Sequence, residues 1–276
     1  MAMSVQNNVS AMNAYRNLTN TQSNLSSSLE KLSSGFRINR AADDAAGLAI
    51  SEGLRSQIGG LNVAIRNAQD GISVVQTAEG ALNETHSILQ RMRDLSVQAA
   101  NTGSLSTLAK ENIQAEIDQL AEGLDDIAKQ TQFNGTELLS GTYSGTFQVG
   151  ANEGETITVS ILHTSGLSST GLQVNNLDVV TAADGAKNAL TSIDAAIDTV
   201  SKIRSDLGAK QNRLDHTINN LQVSVENLTA SESRIRDTDM ANEMVSYTSS
   251  NILQQAGTAM LAQANQMPQS ILSLLG

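Results

Sequence analysis

Apolar residues recur along this chain in alternating steps of three and four, the spacing of a helix that packs along a seam. Five such stripes follow one another. The first runs Leu18, Leu25, Leu29, Leu32, Phe36, and the second Leu54, Ile58, Leu61, Ile65, Ala68, Ile72, Val75, Leu82, Leu89. The third is Ile113, Ile117, Leu120, Leu124, Ile127. The fourth passes from Ile193 through Val200, Leu207, Leu214, Leu221 and Leu228 to Ile235, and the fifth is Leu253, Met260, Met267, Ile271, Leu274. Extended to Val97, the second stripe predicts a rod on the order of 65 Å long, too long to fold back into a small sphere.

Between Phe133 and Gly185 the texture changes. Eight glycines fall in this stretch, and Thr156 to Leu162 alternates with Ile157, Val159 and Ile161 on one face, which is the period of a strand. Asn134-Gly135 is the dipeptide of a tight hairpin turn. The predicted fold is therefore mainly α, a long antiparallel helical coiled-coil rod with a short β-hairpin excursion in the middle of the chain. Asn101-Thr102-Gly103 supplies a helix stop. The second stripe also carries Gly47, Gly53, Gly59, Gly60, Gly71 and Gly80. Each exposed helical glycine costs roughly 1 kcal/mol against alanine, so close helix approach, a bend, or tolerance in a well-packed bundle are the available readings.

Composition agrees with helices and narrows the partners. Of 276 residues 39% are apolar, but there is no Trp and there are only three Phe and three Tyr, so the core is built from Leu, Ile, Val, Met and Ala. A net charge of -11 disfavours nucleic acid, which needs clustered Lys and Arg, and anionic membrane surfaces likewise. Zero cysteines exclude disulfides and thiolate metal sites without assigning a compartment. Met1 to Met12 has no basic n-region followed by a long apolar stretch, so no standard signal peptide is expected, and no run approaches the roughly 20 apolar residues of a membrane span.

The two ends pose a packing problem. The first 36 and last 25 or so residues carry apolar stripes, yet a pair of isolated helices leaves much of such a face wet. A plain intramolecular four-helix bundle is one solution. The other is contact with identical neighbours through unlike surfaces, which gives an open helical filament when the rotation does not close.

Three long segments decide between them: Leu32 to Gln57 (LSSGFRINRAADDAAGLAISEGLRSQ), Gln69 to Leu82 (QDGISVVQTAEGAL) and Glu226 to Met244 (ENLTASESRIRDTDMANEM). Shorter ones accompany them at Gln90 to Asn101 (QRMRDLSVQAAN), Thr131 to Gly135 (TQFNG), Asn212 to Leu221 (NRLDHTINNL) and Met260 to Leu275 (MLAQANQMPQSILSLL). Through these motifs the chain resembles bacterial flagellin at both ends, and its short centre resembles a minimal form with the inner domains only.

The resemblance implies a subunit that polymerises into the flagellar filament, exported unfolded through the flagellar secretion channel and added beneath a cap at the distal end. It implies that residues 1–43 and 237–276 form an inner coiled-coil domain, while 44–236 forms the wall, with hairpins at about 133–185. Terminal segments of the family are typically disordered in the monomer, and a segment without partners orders only when neighbours bury its stripe. The implied polymer interface on the terminal helices is Leu18, Leu25, Leu29, Leu32, Phe36, Leu253, Met260, Met267, Ile271 and Leu274. Implied partners are further copies of itself, a secretion chaperone on about Asn251 to Leu275, and the cap and junction proteins. An animal innate immune receptor is added through Arg91, Leu95 and Glu116, which match the family pattern.

Two charge clusters lie at the junctions: Arg37, Arg40, Asp43 and Asp44, and Arg234, Arg236, Asp237 and Asp239. They are expected to pair with each other within and between subunits. Catalytic patterns are absent: His86, His163 and His216 are far apart with no HExxH helix, and no GxGxxG or GxxxxGK[ST] loop occurs. Adjacent Asp125 and Asp126 point different ways on a helix and do not suit paired acid and base chemistry. No cofactor is expected and the chain does not read as an enzyme. The nearest rival is the hook to filament junction protein. A chemoreceptor hairpin shares the heptads but lacks the β excursion.

Overall fold

A computed structural model describes residues 7–101, 103, 105–163, 166–180 and 184–275, except for the side chains of Leu162 and of 267–275. The elements in chain order are α1 (Val9–Ser34), α2 (Ala45–Ala99), α3 (Thr107–Gln130), β1 (Gln132–Phe133), β2 (Thr136–Glu137), β3 (Thr142–Gln148), β4 (Thr156–Leu162), α4 (Gly185–Arg236) and α5 (Met240–Leu275). Caps explain several limits. Asn8 accepts from the Ala11 amide and Ser106 from the Ala109 amide at the starts of α1 and α3, satisfying helix N–H groups that have no partner of their own. Gly35, at φ 75°, ends α1 in the left-handed conformation. Phe36, expected on the helical stripe, therefore lies beyond the helix and forms an antiparallel bridge with Asp237.

The chain packs as two units, 57–226 and the two ends together, 1–56 with 227–276. Their limits fall inside α2 and α4.

In the 57–226 unit, Leu82, Leu89 and Met92 of α2, Ile117 and Leu124 of α3, and Ile193, Val200, Leu207 and Leu214 of α4 form one core. All of these but Met92 lie on the predicted stripes, which face one another. Asn134 and Gly135 both have positive φ (50° and 77°), as a type I′ turn between β1 and β2 requires. β3 and β4 pair antiparallel, and Ile157, Val159 and Ile161 turn inward into the core. Two glycines of α2 make room for this hairpin. A Cβ on Gly60 would lie 3.1 Å from the Ala151 Cβ, and one on Gly71 would lie 3.3 Å from both Phe147 and Leu214. Lys210 donates to the Ser160 carbonyl at 3.1 Å, tying β4 to α4. The irregular segment 166–180 is held by α3. The Asp125 carboxylate accepts from the Ser169 amide at 2.7 Å, and the Gln114 side chain donates to the Leu177 carbonyl and accepts from the Val179 amide.

The unit made of the chain ends is a different object. α1 and α5 run antiparallel: Asn8 donates to the Ala264 carbonyl at 2.7 Å and Gln254 to the Gln22 side chain at 2.5 Å, while Phe36 bridges Asp237. Among the described residues, Ile38 is the one buried hydrophobic side chain of this unit.

Candidate assembly site

The helix pair places the expected interface residues on two different faces. Leu18, Leu25 and Leu32 are half-buried in the α1–α5 seam, and a Cβ on Gly257 would lie 3.3 Å from Leu18 Cδ1. On α5 that seam is small or polar: Asn251, Gln254, Gly257 and Ala264 are half-buried, together with Leu261. Two of the large residues from which the last stripe was read, Leu253 and Met260, point outward. Leu253 is 57% and Met260 68% exposed, and Leu29 on α1 is 54% exposed. Side chains of Met267, Ile271 and Leu274 lie outside the described residues.

The outer face extends beyond the predicted set. Val9, Met12 and Tyr15 on α1 and Met240, Met244, Val245 and Ile252 on α5 are exposed as well. Met244, Val245, Thr248, Ser249, Ile252 and Leu253 line a shallow groove along one side of α5. Charge is scarce there, since 240–275 contains one charged residue, Glu243. Large apolar side chains gathered on an exposed helix face mark a surface that another molecule covers.

The junction clusters do meet, but by other partners than expected. Arg37 donates its amide to the Arg236 carbonyl at 2.7 Å and its Nη2 to the Ile235 carbonyl at 2.6 Å, and the Thr238 amide donates to Gly35. Among the described residues no ion pair joins an arginine of one cluster to an aspartate of the other. The aspartates serve their own turns instead. Asp44 accepts from the Gly47 amide at the start of α2, Asp239 from the Ala241 and Asn242 amides at the start of α5, and Asp237 from the Ser233 hydroxyl. Asp43 accepts from the amides of Arg40 and Asn39, which hold its carboxyl below the ordinary aspartate range.

Two of the arginines turn to glutamates outside both clusters. Arg40 pairs with Glu30 at 2.9 Å, and Arg236 pairs with Glu52 at 2.7 Å while its guanidinium carbon stands 4.8 Å from the centre of the Phe36 ring. Arg234 donates to the Ser231 hydroxyl. Arg236 and Glu52 are 184 positions apart, so no helical spacing rule could have paired them.

In the other unit, Arg91 and Glu116 form an exposed ion pair at 2.5 Å between α2 and α3. Leu95 departs from the expectation of a receptor contact: it is 3% exposed and belongs to the core. The position faces inward because Met92, Leu95 and Ala99 continue the buried side of α2. Among the described residues no group of His, Asp and Glu side chains could hold a metal ion, and no helix is long and apolar enough to cross a membrane.

Known proteins resemble this chain in sequence and in fold. Residues 5–144 match the bacterial flagellin N-terminal helical region and 190–275 the bacterial flagellin C-terminal helical region. The chain is 50% identical to the flagellin of Bacillus subtilis (strain 168) over 304 aligned residues, covering 99% of this chain and 100% of that protein. It is 48% identical to the flagellar filament 33 kDa core protein of Treponema phagedenis, again covering 99% of this chain and 100% of that protein. The crystal structure of Bacillus cereus flagellin superposes with a TM-score of 0.50 at 32% identity, over 56% of this chain and 88% of that one. A putative flagellar hook-associated protein from Vibrio parahaemolyticus shares the fold at a TM-score of 0.60 and 15% identity, over 71% of this chain and all of that one. With matched helical regions at both ends and half of its residues identical to a flagellin along nearly its whole length, the chain belongs to the bacterial flagellin family.

Proposed function

We infer that this chain polymerises through the outward faces of α1 and α5. It is a structural subunit of the bacterial flagellar filament, a role its family membership carries. One observation supports the location of the contact. The unit formed by the chain ends buries a single described hydrophobic side chain, Ile38, while Leu29, Leu253 and Met260 stay more than half exposed. Further copies cover that surface, and the gain from covering it drives elongation. The interface divides into Leu18, Leu25 and Leu32, which hold the pair together, and Leu29, Leu253 and Met260, which meet neighbours. Residues 1–43 and 237–276 form the inner coiled-coil part of the filament and 44–236 the wall.

The rest of the reading follows from the same weak packing. A pair of helices with so little core unfolds readily, which suits export through the flagellar secretion system without a cleaved signal peptide. A secretion chaperone on 251–275 covers the exposed face of α5 before export, and the cap and junction proteins cover it at the ends of the polymer. Neither nucleic acid nor membrane is a partner, and the role is structural, not enzymatic. Recognition by an animal innate immune receptor rests on Arg91 and Glu116, with Leu95 acting only by holding α2 in place.

The test is to seed the purified chain with filament fragments and view it by negative-stain electron microscopy while recording helicity. Long filaments with a rise in helicity support the reading. A stable monomer or closed small oligomer that never elongates overturns it and turns attention to the hook to filament junction protein.

A further inference from the structure

The described methionines divide sharply by place. Met92 is fully buried in the core of the 57–226 unit. Met12, Met240, Met244 and Met260 are 62%, 49%, 50% and 68% exposed, and all four stand on the outer face of the terminal helices. Met244 also lines the shallow groove on α5 with Ile252 and Leu253. A methionine thioether is apolar and fits against irregular apolar surfaces, whereas its sulfoxide is polar and carries a strong acceptor oxygen. The same four residues are thus open to solvent in the free chain and lie on the two helices whose outer faces are read as the assembly surface.

We propose that Met12, Met240, Met244 and Met260 form a peroxide-sensitive modification site whose conversion to methionine sulfoxide blocks polymerisation. This rests on the reading that the outer faces of α1 and α5 are the assembly surface. In the reaction the thioether sulfur attacks one oxygen of hydrogen peroxide, the O–O bond breaks, and that oxygen stays on sulfur. The other oxygen leaves as water with both peroxide hydrogens. Sulfur is oxidised by two electrons and the peroxide reduced by two. Each new S=O adds a polar acceptor to an apolar side chain, and covering it by a neighbour costs free energy unless a donor is supplied. Met92 is shielded, so the 57–226 unit keeps its core. Chains already in the polymer are protected at the four sites, and a methionine sulfoxide reductase restores the free ones.

The experiment treats the full chain with hydrogen peroxide, maps each sulfoxide by peptide mass spectrometry, and follows seeded elongation. A second chain carries Met12→Leu, Met240→Leu, Met244→Leu and Met260→Leu, which keep apolar volume but cannot be oxidised. Expected results are sulfoxide at the four sites with Met92 unmodified, an elongation rate at least about tenfold below that of the untreated chain, recovery with the reductase, and, for the leucine variant, the same rate after treatment as that variant shows before it. Normal elongation of a chain oxidised at all four sites overturns the proposal, as does a fold-loss on treatment of the leucine variant, measured against that variant untreated, equal to the loss of the parent chain. If the untreated chain fails to elongate at all, the assembly reading itself fails and the proposal falls with it.

Discussion

Arg236 closes on Glu52 at 2.7 Å while its guanidinium lies over the Phe36 ring, so one side chain joins the end of α4, the start of α2 and the turn after α1. Its side chain is only 12% exposed, whereas Glu52 is 55% exposed, which limits the worth of the charge pair itself. Arg236→Gln is expected to weaken the terminal unit by about 1 kcal/mol from the combined loss of ion pair and ring contact. Hydrogen exchange at the Arg37 and Thr238 amides, both bonded across this junction, reads the change. Adding Glu52→Gln in that background should cost little more.

Leu253 and Leu18 separate assembly from folding. Leu253→Gln replaces an exposed side chain and should leave the monomer's melting within about 0.5 kcal/mol of the parent, yet slow seeded elongation. Leu18→Ala opens the α1–α5 seam and should loosen the helix pair in the free chain first. Circular dichroism of the monomer beside filament length by electron microscopy distinguishes the two; equal effects of both changes on both readouts would falsify the division.

Leu95 is a core position. Leu95→Ala should destabilise the 57–226 unit by about 2 to 4 kcal/mol, in the range of buried Leu truncations, as measured by urea unfolding. Arg91→Ala and Glu116→Ala remove an exposed pair and should each cost under about 1 kcal/mol. A receptor assay can therefore be read directly for Arg91 and Glu116, while any loss with Leu95→Ala has to be corrected for unfolding.

Glycines of α2 divide by what a methyl group would meet. At Gly80 nothing lies within 4 Å, so Gly80→Ala should stabilise by about 0.5 to 1 kcal/mol through helix propensity. At Gly47 a Cβ would come within 2.7 Å of Ile38 Cδ1 and 2.5 Å of the Asp44 carboxylate that caps α2. Gly47→Ala should therefore destabilise despite the better propensity. Thermal unfolding of the two variants checks the opposite signs.

Asp43 gives a pH dependence whose sign is set by its amide partners. Its folded pKa lies below the ordinary 3.8 because the Arg40 and Asn39 amides favour the carboxylate. A depressed folded pKa means that its contribution is complete above the unfolded value and is lost as pH falls through the folded one. The turn should thus stay closed at neutral pH and loosen below about pH 3.8. Amide shifts of Asn39 and Arg40 on acid titration follow it, and Asp43→Asn should flatten that titration.

Much of the fold was legible because local rules wrote it. The stripes from Leu82 to Leu89 and from Ile193 to Leu214 face the core, Asn134-Gly135 makes its turn, and β4 buries Ile157, Val159 and Ile161. The inward side of α5 was not legible. It uses Asn251, Gln254 and Gly257 so that the helices approach closely, and a search for large apolar residues finds the opposite face.

By itself the sequence determined the helical periods, the hairpin between them and the family, since each depends on neighbours a few positions apart or on motifs read directly. Tertiary structure decided what depends on distant partners. It placed Leu95 inside, gave Arg236 to Glu52 instead of an aspartate of the opposite cluster, and drew the division between units inside α2 and α4. Side-chain pairing across 184 positions and the choice of which helix face turns inward are set by packing in three dimensions, and no local pattern encodes them.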